Sequence, residues 1–372
     1  MNLYDRSIEI ILGNQTSHGA YLASPSFPTY RYSWFRDGSF IAYAMDVVGE
    51  HDSAARFHDW VAATVGKRED SIRRAVIDAS NGAPLAPADV LHTRYTAEGN
   101  EAEENWPNFQ LDGFGTWLWA LGEHIRTSGR QQTEEVRSAA TLVVDYLTAL
   151  WDRPCYDCWE EFPEDVHPHT LAAIFGGLSS HQATSGVDHQ ATLALIAERI
   201  HSDASGKKHF VKFRSSDDVD ASLLGLSVPY RVVSPDDPMM LSTAARIDDT
   251  LRVGGGVRRY LADTYYGGGE WILLTCWLAW YHFERGAHEE GRSLLQWVEA
   301  QVTEDGYLPE QIPRNLNDPS SYEPWRERWG EIATPLLWSH AMYLVCETLN
   351  RQAIEAMNGS SLARHETPEE EL

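Results

Sequence analysis

Positive charge is what this sequence has least of. Lys and Arg together number 30 against 55 Asp and Glu, a formal net charge of −25. Such a surface repels phosphate backbones and anionic headgroups, which argues against nucleic acid and membrane partners and leaves a neutral ligand unpenalised. Cysteine is scarce as well. The four residues give one C-x-x-C pair, Cys155 and Cys158, with Cys276 and Cys346 far away. A lone pair lacks the second half of a zinc site, so plain buried thiols in a reducing, cytoplasmic protein are the simplest expectation. Long apolar runs are missing too. The start, MNLYDRSIEIILGN, has neither the cationic opening nor the apolar stretch of a secretory signal. The longest apolar segment, from Glu270, is interrupted by His282 and Glu284, too soon to span a bilayer.

Familiar catalytic signatures are also lacking. The glycine runs at 254–256 and 267–269 are no P-loop, His288-Glu289-Glu290 has no second His for a zincin, and no G-x-S-x-G supports a serine hydrolase. Asp217-Asp218-Val219-Asp220 is too sparse for a calcium loop and reads as a helix start. With 372 residues the chain can bury a large core without disulfides or metals.

Helical periodicity dominates what is present. Residues 287–302 place Leu294, Leu295, Val298 and Val302 on one stripe, and 135–151 do the same with Val143, Val144, Leu147 and Leu150. Other stretches are apolar all round, notably 270–284, 335–349 and 114–122, and must be buried on every side. The two kinds alternate along the chain. That pattern predicts an all-α fold of about twelve helices in two concentric rings, near 3–13, 36–49, 51–66, 109–127, 131–151, 166–179, 184–204, 220–227, 238–252, 270–284, 287–302 and 332–355. VPYRVV at 228–233 is the best strand candidate. No segment reads as a linker, so residues 1–360 are expected to form one domain, followed by an acidic, disordered tail at 361–372. Long irregular stretches are expected at 14–35, 67–108, 152–165, 253–269 and 305–330, and loops that long usually carry function.

Aromatic residues are abundant, with 14 Trp, 16 Tyr and 11 Phe, many of them beside charges as in Tyr30-Arg31-Tyr32-Ser33-Trp34-Phe35-Arg36-Asp37. Rings that stack on C–H faces beside groups that read hydroxyls suit a sugar. Carboxylates recur among them, in Trp159-Glu160-Glu161 and in Leu308-Pro309-Glu310-Gln311. Two carboxyls across a sugar-sized pocket are the minimum equipment for glycoside hydrolysis, and an apolar wall such as Trp159 helps keep one of them protonated. Glu160 and Glu161 are neighbours and share no face of a regular backbone, so at most one is the acid. Taken alone, each Glu reads as a surface or capping residue, Arg36–Asp37 as an ion pair at a helix start, and Trp271 as core.

The order of motifs resembles the glucoamylase-like family, glycoside hydrolase family 15. Five segments carry the resemblance between residues 30 and 311: Tyr30 to Asp37; Gln110-Leu111-Asp112-Gly113; Trp159-Glu160-Glu161; Arg259-Tyr260 with Ala262 to Trp271; and Leu308 to Gln311. The resemblance implies an (α/α)6 barrel, inverting exo-glucosidase activity and release of β-glucose from non-reducing ends. It implies Glu160 as general acid, Glu310 as general base, and Arg36 and Asp37 as the grip on the terminal glucose. Arg259 and Glu161 would hold the neighbouring sugar, Trp34, Trp159 and Trp271 would wall the pocket, and Tyr30 would stand near the catalytic water. Asp112 and Asp263 are carried over as further binding residues.

The β-sandwich domain that bacterial relatives often place before the barrel is expected to be missing here, as is a starch-binding module. The compact barrel points to short α-glucosides, with isomaltose-type α-1,6 linkages favoured over α-1,4 or trehalase-like α,α-1,1 cleavage. The substrate is then a small oligosaccharide and the product glucose. No metal or organic cofactor is implied, because acid–base hydrolysis needs two carboxyls and water. A silent sugar-binding module and a phosphorolytic or transglycosylating enzyme on the same barrel are the rival readings.

Overall fold

The computed structural model describes residues 2–365, with side chains described as far as Met357. Among the described residues, thirteen α-helices carry the architecture. They are α1 (Leu3–Gly13), α2 (Phe35–Val47), α3 (His51–Gly66), α4 (Glu69–Ser80), α5 (Asp112–Ser128), α6 (Glu134–Leu150), α7 (Pro168–Ser185), α8 (Gln190–Asp203), α9 (Pro238–Leu251), α10 (Ile272–Glu284), α11 (His288–Glu299), α12 (Tyr322–Trp329) and α13 (Leu337–His365). A 3-10 helix, Ala221–Leu226, sits between α8 and α9.

The inner ring closes on itself. α2 packs on α5, α5 on α7, α7 on the 3-10 helix, that helix on α10, α10 on α13, and α13 back on α2. Around it stand α1 against α13, α3 against α2, α6 against α5, α8 against α7, α9 against the 3-10 helix, and α11 against α10 and α13. Inner and outer members alternate in chain order, which is the (α/α)6 barrel with the 3-10 helix as its shortened fourth inner member. Hydrophobicity sorts the two rings. In α10 every residue is buried except His282 and Glu284, whereas α11 buries only Gly291, Leu294, Leu295 and Val298. The closest inner contact, α5 on α7, depends on glycine. A Cβ at Gly115 would lie 2.5 Å from the Ala173 backbone, and one at Gly177 would lie 2.5 Å from the Gly115 carbonyl oxygen.

Five expectations need correcting. Residues 67–108 contain α4, whose buried face is only Ile72 and Ala75, set against α6 outside both rings. Its many charges hid a narrow stripe. Residues 305–330 contain the short helix α12, which buries no residue fully. The segment 228–233 is a turn with a cis Val228–Pro229 bond, not a strand. Pro229 brings no ladder donor, and the Val232 and Val233 amides bond back to the Leu226 carbonyl at 2.9 and 3.1 Å. Val302 lies past the end of α11 and is exposed, so the stripe expected there stops at Val298. Of the tail expected to be disordered at 361–372, residues 361–365 continue helix α13, and 366–372 lie outside the described residues.

Candidate active site

All the loops that matter enter the N-terminal ends of inner helices. Two tiny ladders pin them. β1 (Ser33–Trp34) pairs antiparallel with β2 (Arg94–Tyr95), and β3 (Glu270–Trp271) with β4 (Gln311–Ile312). The first fixes Trp34 just before α2. The second brings Trp271 beside Glu310, distant in sequence, with the Ile272 amide on the Glu310 carbonyl at 3.3 Å.

Between these loops lies a cavity of about 330 Å³, at the small end of ligand pockets. Its lining includes Tyr30, Trp34, Arg36, Asp37, Trp159, Glu160, Glu161, Arg259, Trp271 and Glu310. Asp112 and Asp263, expected among the binding residues, do not line it. They stand one layer behind and hold two arginines that do. Arg36 Nη1 bonds Asp112 Oδ2 at 3.1 Å and Gln110 Oε1 at 2.9 Å. Arg259 Nε bonds Asp263 Oδ2 at 2.8 Å, and its Nη2 bonds Asp263 Oδ1. Both aspartates are fully buried, so neither reaches a ligand.

The two candidate catalytic carboxylates are held from one short segment. Trp34 Nε1 donates to Glu160 Oε1 at 2.8 Å, and the Tyr30 hydroxyl donates to Glu310 Oε1 at 3.0 Å. The rings of Tyr30 and Trp34 pack edge-to-face at 5.6 Å, so donors four residues apart form one rigid bracket. Tyr265 supports it through a 2.8 Å contact between its hydroxyl and that of Tyr30. Glu310 Oε2 is buried and has no protein partner. Burial pushes the Glu310 carboxyl up to about 8, against the hydrogen bond from Tyr30 and the charge of Arg259.

Glu160 has a left-handed backbone, φ 69°, as does Phe162 at 52°. Holding non-glycine residues there needs outside support. Asp157 supplies it, because its Oδ1 accepts the Trp159 and Glu161 amides, both at 2.9 Å. Asp157 and Asp220 flank the buried Lys212 ammonium, at 3.1 and 2.5 Å, and Asp220 also takes the Trp159 indole N–H. The twist turns Glu160 and Glu161 apart, as their adjacency predicts. Glu161 accepts from the Tyr260 hydroxyl at 2.6 Å and faces Arg259 at 3.6 Å.

Arg259 lies among Trp159, Tyr265 and Trp271, with ring centroids 5.2 to 5.4 Å away. Arg36 and Asp37 pair at 3.5 Å in the first turn of α2, so the helix-start reading and the pocket reading hold together. Arg36 Nε and Asp37 Oδ2 are otherwise unpartnered and buried, and both residues line the cavity. Burial raises the Asp37 carboxyl to about 7, with Arg36 pulling the other way. Cys158 lines the pocket, and all four cysteines are free, buried thiols.

Sequence reasoning missed the pocket's outer rim. Trp325, Arg328 and Trp329 of α12 line it, as do Asn105 and Trp106, while the buried Trp338 lines the pocket from its core side, its ring centroid 5.8 Å from the Arg36 guanidinium. Trp325 and Trp329 stand four apart, a spacing that would have put both rings on one helix face. Arg94 is buried against Trp106, 3.6 Å from its centroid, and braces that wall.

A closed double ring of helices with two bracketed carboxylates and an aromatic pocket over its inner N-termini has the character of a glycoside hydrolase. Residues 1–303 match the model of glycosyl hydrolases family 15, and the chain belongs to that family. An isomaltose glucohydrolase of Kribbella flavida is 41% identical over 344 residues, 90% of this chain and 89% of that protein. An uncharacterized glycosyl hydrolase of Methanocaldococcus jannaschii is 29% identical across 91% of this chain, which spans only 54% of it. Among solved structures, a wild-type glycosidase superposes with a TM-score of 0.89 at 40% identity, covering 93% of this chain and 96% of that one. A variant glycosidase with the same figures was solved in complex with glucose. The glucoamylase of Saccharomycopsis fibuligera, at 16% identity and a TM-score of 0.69, shares the fold. No helix among the described residues is long and apolar enough to cross a membrane.

Proposed function

We propose that this glycoside hydrolase is an inverting exo-α-glucosidase that cleaves short α-glucosides, isomaltose above all, and releases β-glucose. The observation that carries the proposal is the bracket of Trp34 and Tyr30, which turns Glu160 and Glu310 into one pocket. In this reading Arg36 and Asp37 grip hydroxyls of the terminal glucose. Arg259, with Glu161, positions the second sugar between Trp159 and Trp271. Glu160 protonates the glycosidic oxygen as the bond breaks. Glu310 takes a proton from the water that attacks the opposite face of the ring, so the anomeric configuration inverts. The small cavity and the α12 rim favour a disaccharide over a polymer. The resemblance to isomaltose glucohydrolase in sequence and length favours the α-1,6 linkage. We read residues 1–360 as one catalytic domain working in the cytoplasm, in keeping with its four buried free thiols.

The test compares kcat/KM on isomaltose, maltose, trehalose and a longer dextrin, with NMR of the first product. Isomaltose is expected to lead, with the β-anomer appearing first. An α-anomer would exclude inversion, and a preference for trehalose or dextrin would exclude this specificity.

The raised Glu310 value sets the pH profile. A base must be ionised, so kcat/KM is expected to rise with pH through the Glu310 value, placing the acidic limb above the ordinary Glu value of about 4.3. Tyr30→Phe removes a donor that favours the carboxylate, so it should move that limb to still higher pH. A fixed limb in the variant would detach it from Glu310. The same raised value favours a second reading, with Glu310 as proton donor and Glu160 as base. Turnover of a substrate whose leaving group needs no proton separates the two.

A further inference from the structure

A second cluster of reactive side chains lies where the far ends of inner helices α2 and α5 meet outer helix α3. Asp46 sits in the last turn of α2, His58 within α3, and His124 near the end of α5. All three are buried, and one ligand atom from each lies within 4.8 Å of the others. His124 Nδ1 stands 2.9 and 3.0 Å from the two Asp46 oxygens, and His51 Nδ1 stands 2.7 Å from Asp46 Oδ1. His58 is different. Both of its ring nitrogens are buried without a partner, although the His124 ring is 5.0 Å away. An imidazole stripped of water and given nothing in return is costly, and the cost recurs for each nitrogen.

We propose that Asp46, His58 and His124 bind a divalent transition-metal ion, zinc in first place, with a water as fourth ligand and His51 holding the Asp46 carboxylate from outside. Imidazole nitrogens with one carboxylate suit zinc at about 2.0–2.2 Å, and they disfavour magnesium and calcium, which take oxygen shells. The ion would give His58 the partner it lacks and balance the buried Asp46 charge. The His51 side chain, 30% exposed, leaves a route from solvent.

The site is far from the chemistry. Asp46 follows Asp37 by nine residues on α2, about 13 Å at 1.5 Å per residue, and His124 follows Asp112 by twelve on α5, about 18 Å. The ion would tie α2, α3 and α5 together and take no part in hydrolysis.

The experiment strips the full-length protein with a chelator, then titrates it with Zn²⁺ by calorimetry and follows thermal unfolding. A second imidazole pair, half-buried His181 Nδ1 and buried His189 Nε2 at 2.9 Å, offers two competing nitrogen donors, so the titration is run in a His181→Ala background. One equivalent is expected to remain there, with a higher Tm when bound. His58→Phe should abolish that binding, and it should fold without metal because it removes an unpartnered polar group. His51→Ala should weaken binding about 10–100-fold, as loss of the partner that orients a ligating carboxylate does. Co²⁺ in place of zinc should show the visible absorption of a tetrahedral site. No binding in the His181→Ala background, or binding that survives His58→Phe, overturns the proposal.

Discussion

Glu160→Gln and Glu310→Gln are each expected to lower kcat on isomaltose by about 10²–10⁴-fold, the usual worth of a positioned acid or base. Both side chains keep their size and most of their hydrogen bonding. The amide at position 160 still offers an oxygen to the Trp34 indole, and the amide at position 310 one to the Tyr30 hydroxyl, so KM should change little. The roles separate on α-glucosyl fluoride, whose leaving group needs no proton. Glu160→Gln should recover most of its rate on that substrate, because only the acid is missing. Glu310→Gln should stay slow on it, because water must still be activated. The mirror result, with Glu310→Gln rescued, would assign the proton donor to Glu310 and suit its raised value. Near wild-type turnover in both variants would remove these carboxylates from the chemistry.

Much of this site was legible in the sequence because its residues come as short contiguous motifs. Tyr30, Trp34, Arg36 and Asp37 lie within eight positions, and the local twist at Glu160 is fixed by Asp157 only a few residues away. The two rings were legible for another reason. A helix buried on all sides, such as α10, cannot be confused with one buried on a stripe, such as α11. What escaped depends on distant pairing. Asp112 and Asp263 belong to the right motifs, yet only their contacts with Arg36 and Arg259 put them behind the pocket wall. Helix α12 buries no residue fully, so its sequence carries no core signal, although Trp325 and Trp329 complete the pocket. The cluster of Asp46, His58 and His124 draws on three helices and has no motif to read.

Lys212 is the clearest case of that kind, and its removal should be the most damaging change to stability. Its ammonium is buried between Asp157 and Asp220, both also buried, and lies 4.0 Å from the Tyr260 ring centroid. Lys212→Met keeps the apolar stem but strands two carboxylates. Breaking such a buried pair costs about 3–5 kcal/mol, well above the typical surface substitution. Urea or thermal unfolding at neutral pH measures it. Lys212→Met combined with Asp220→Asn should recover part of the loss, because one stranded charge is gone.

The pH dependence gives a second reading of the same contact. Burial works to raise the Asp220 carboxyl, yet the Lys212 charge and hydrogen bond, helped by Ser222, hold it below the ordinary Asp value. A depressed carboxyl stabilises the fold fully above its unfolded value of about 3.9, and that stability fades as pH falls towards the lower folded value. Lys212→Met removes the depression, so acid unfolding should begin at higher pH than in the wild type. Because Asp157 also holds the Trp159 and Glu161 amides, kcat should fall even where the variant remains folded. A variant with unchanged stability and an unchanged acid transition would mean that water, not the lysine, satisfies these two carboxylates.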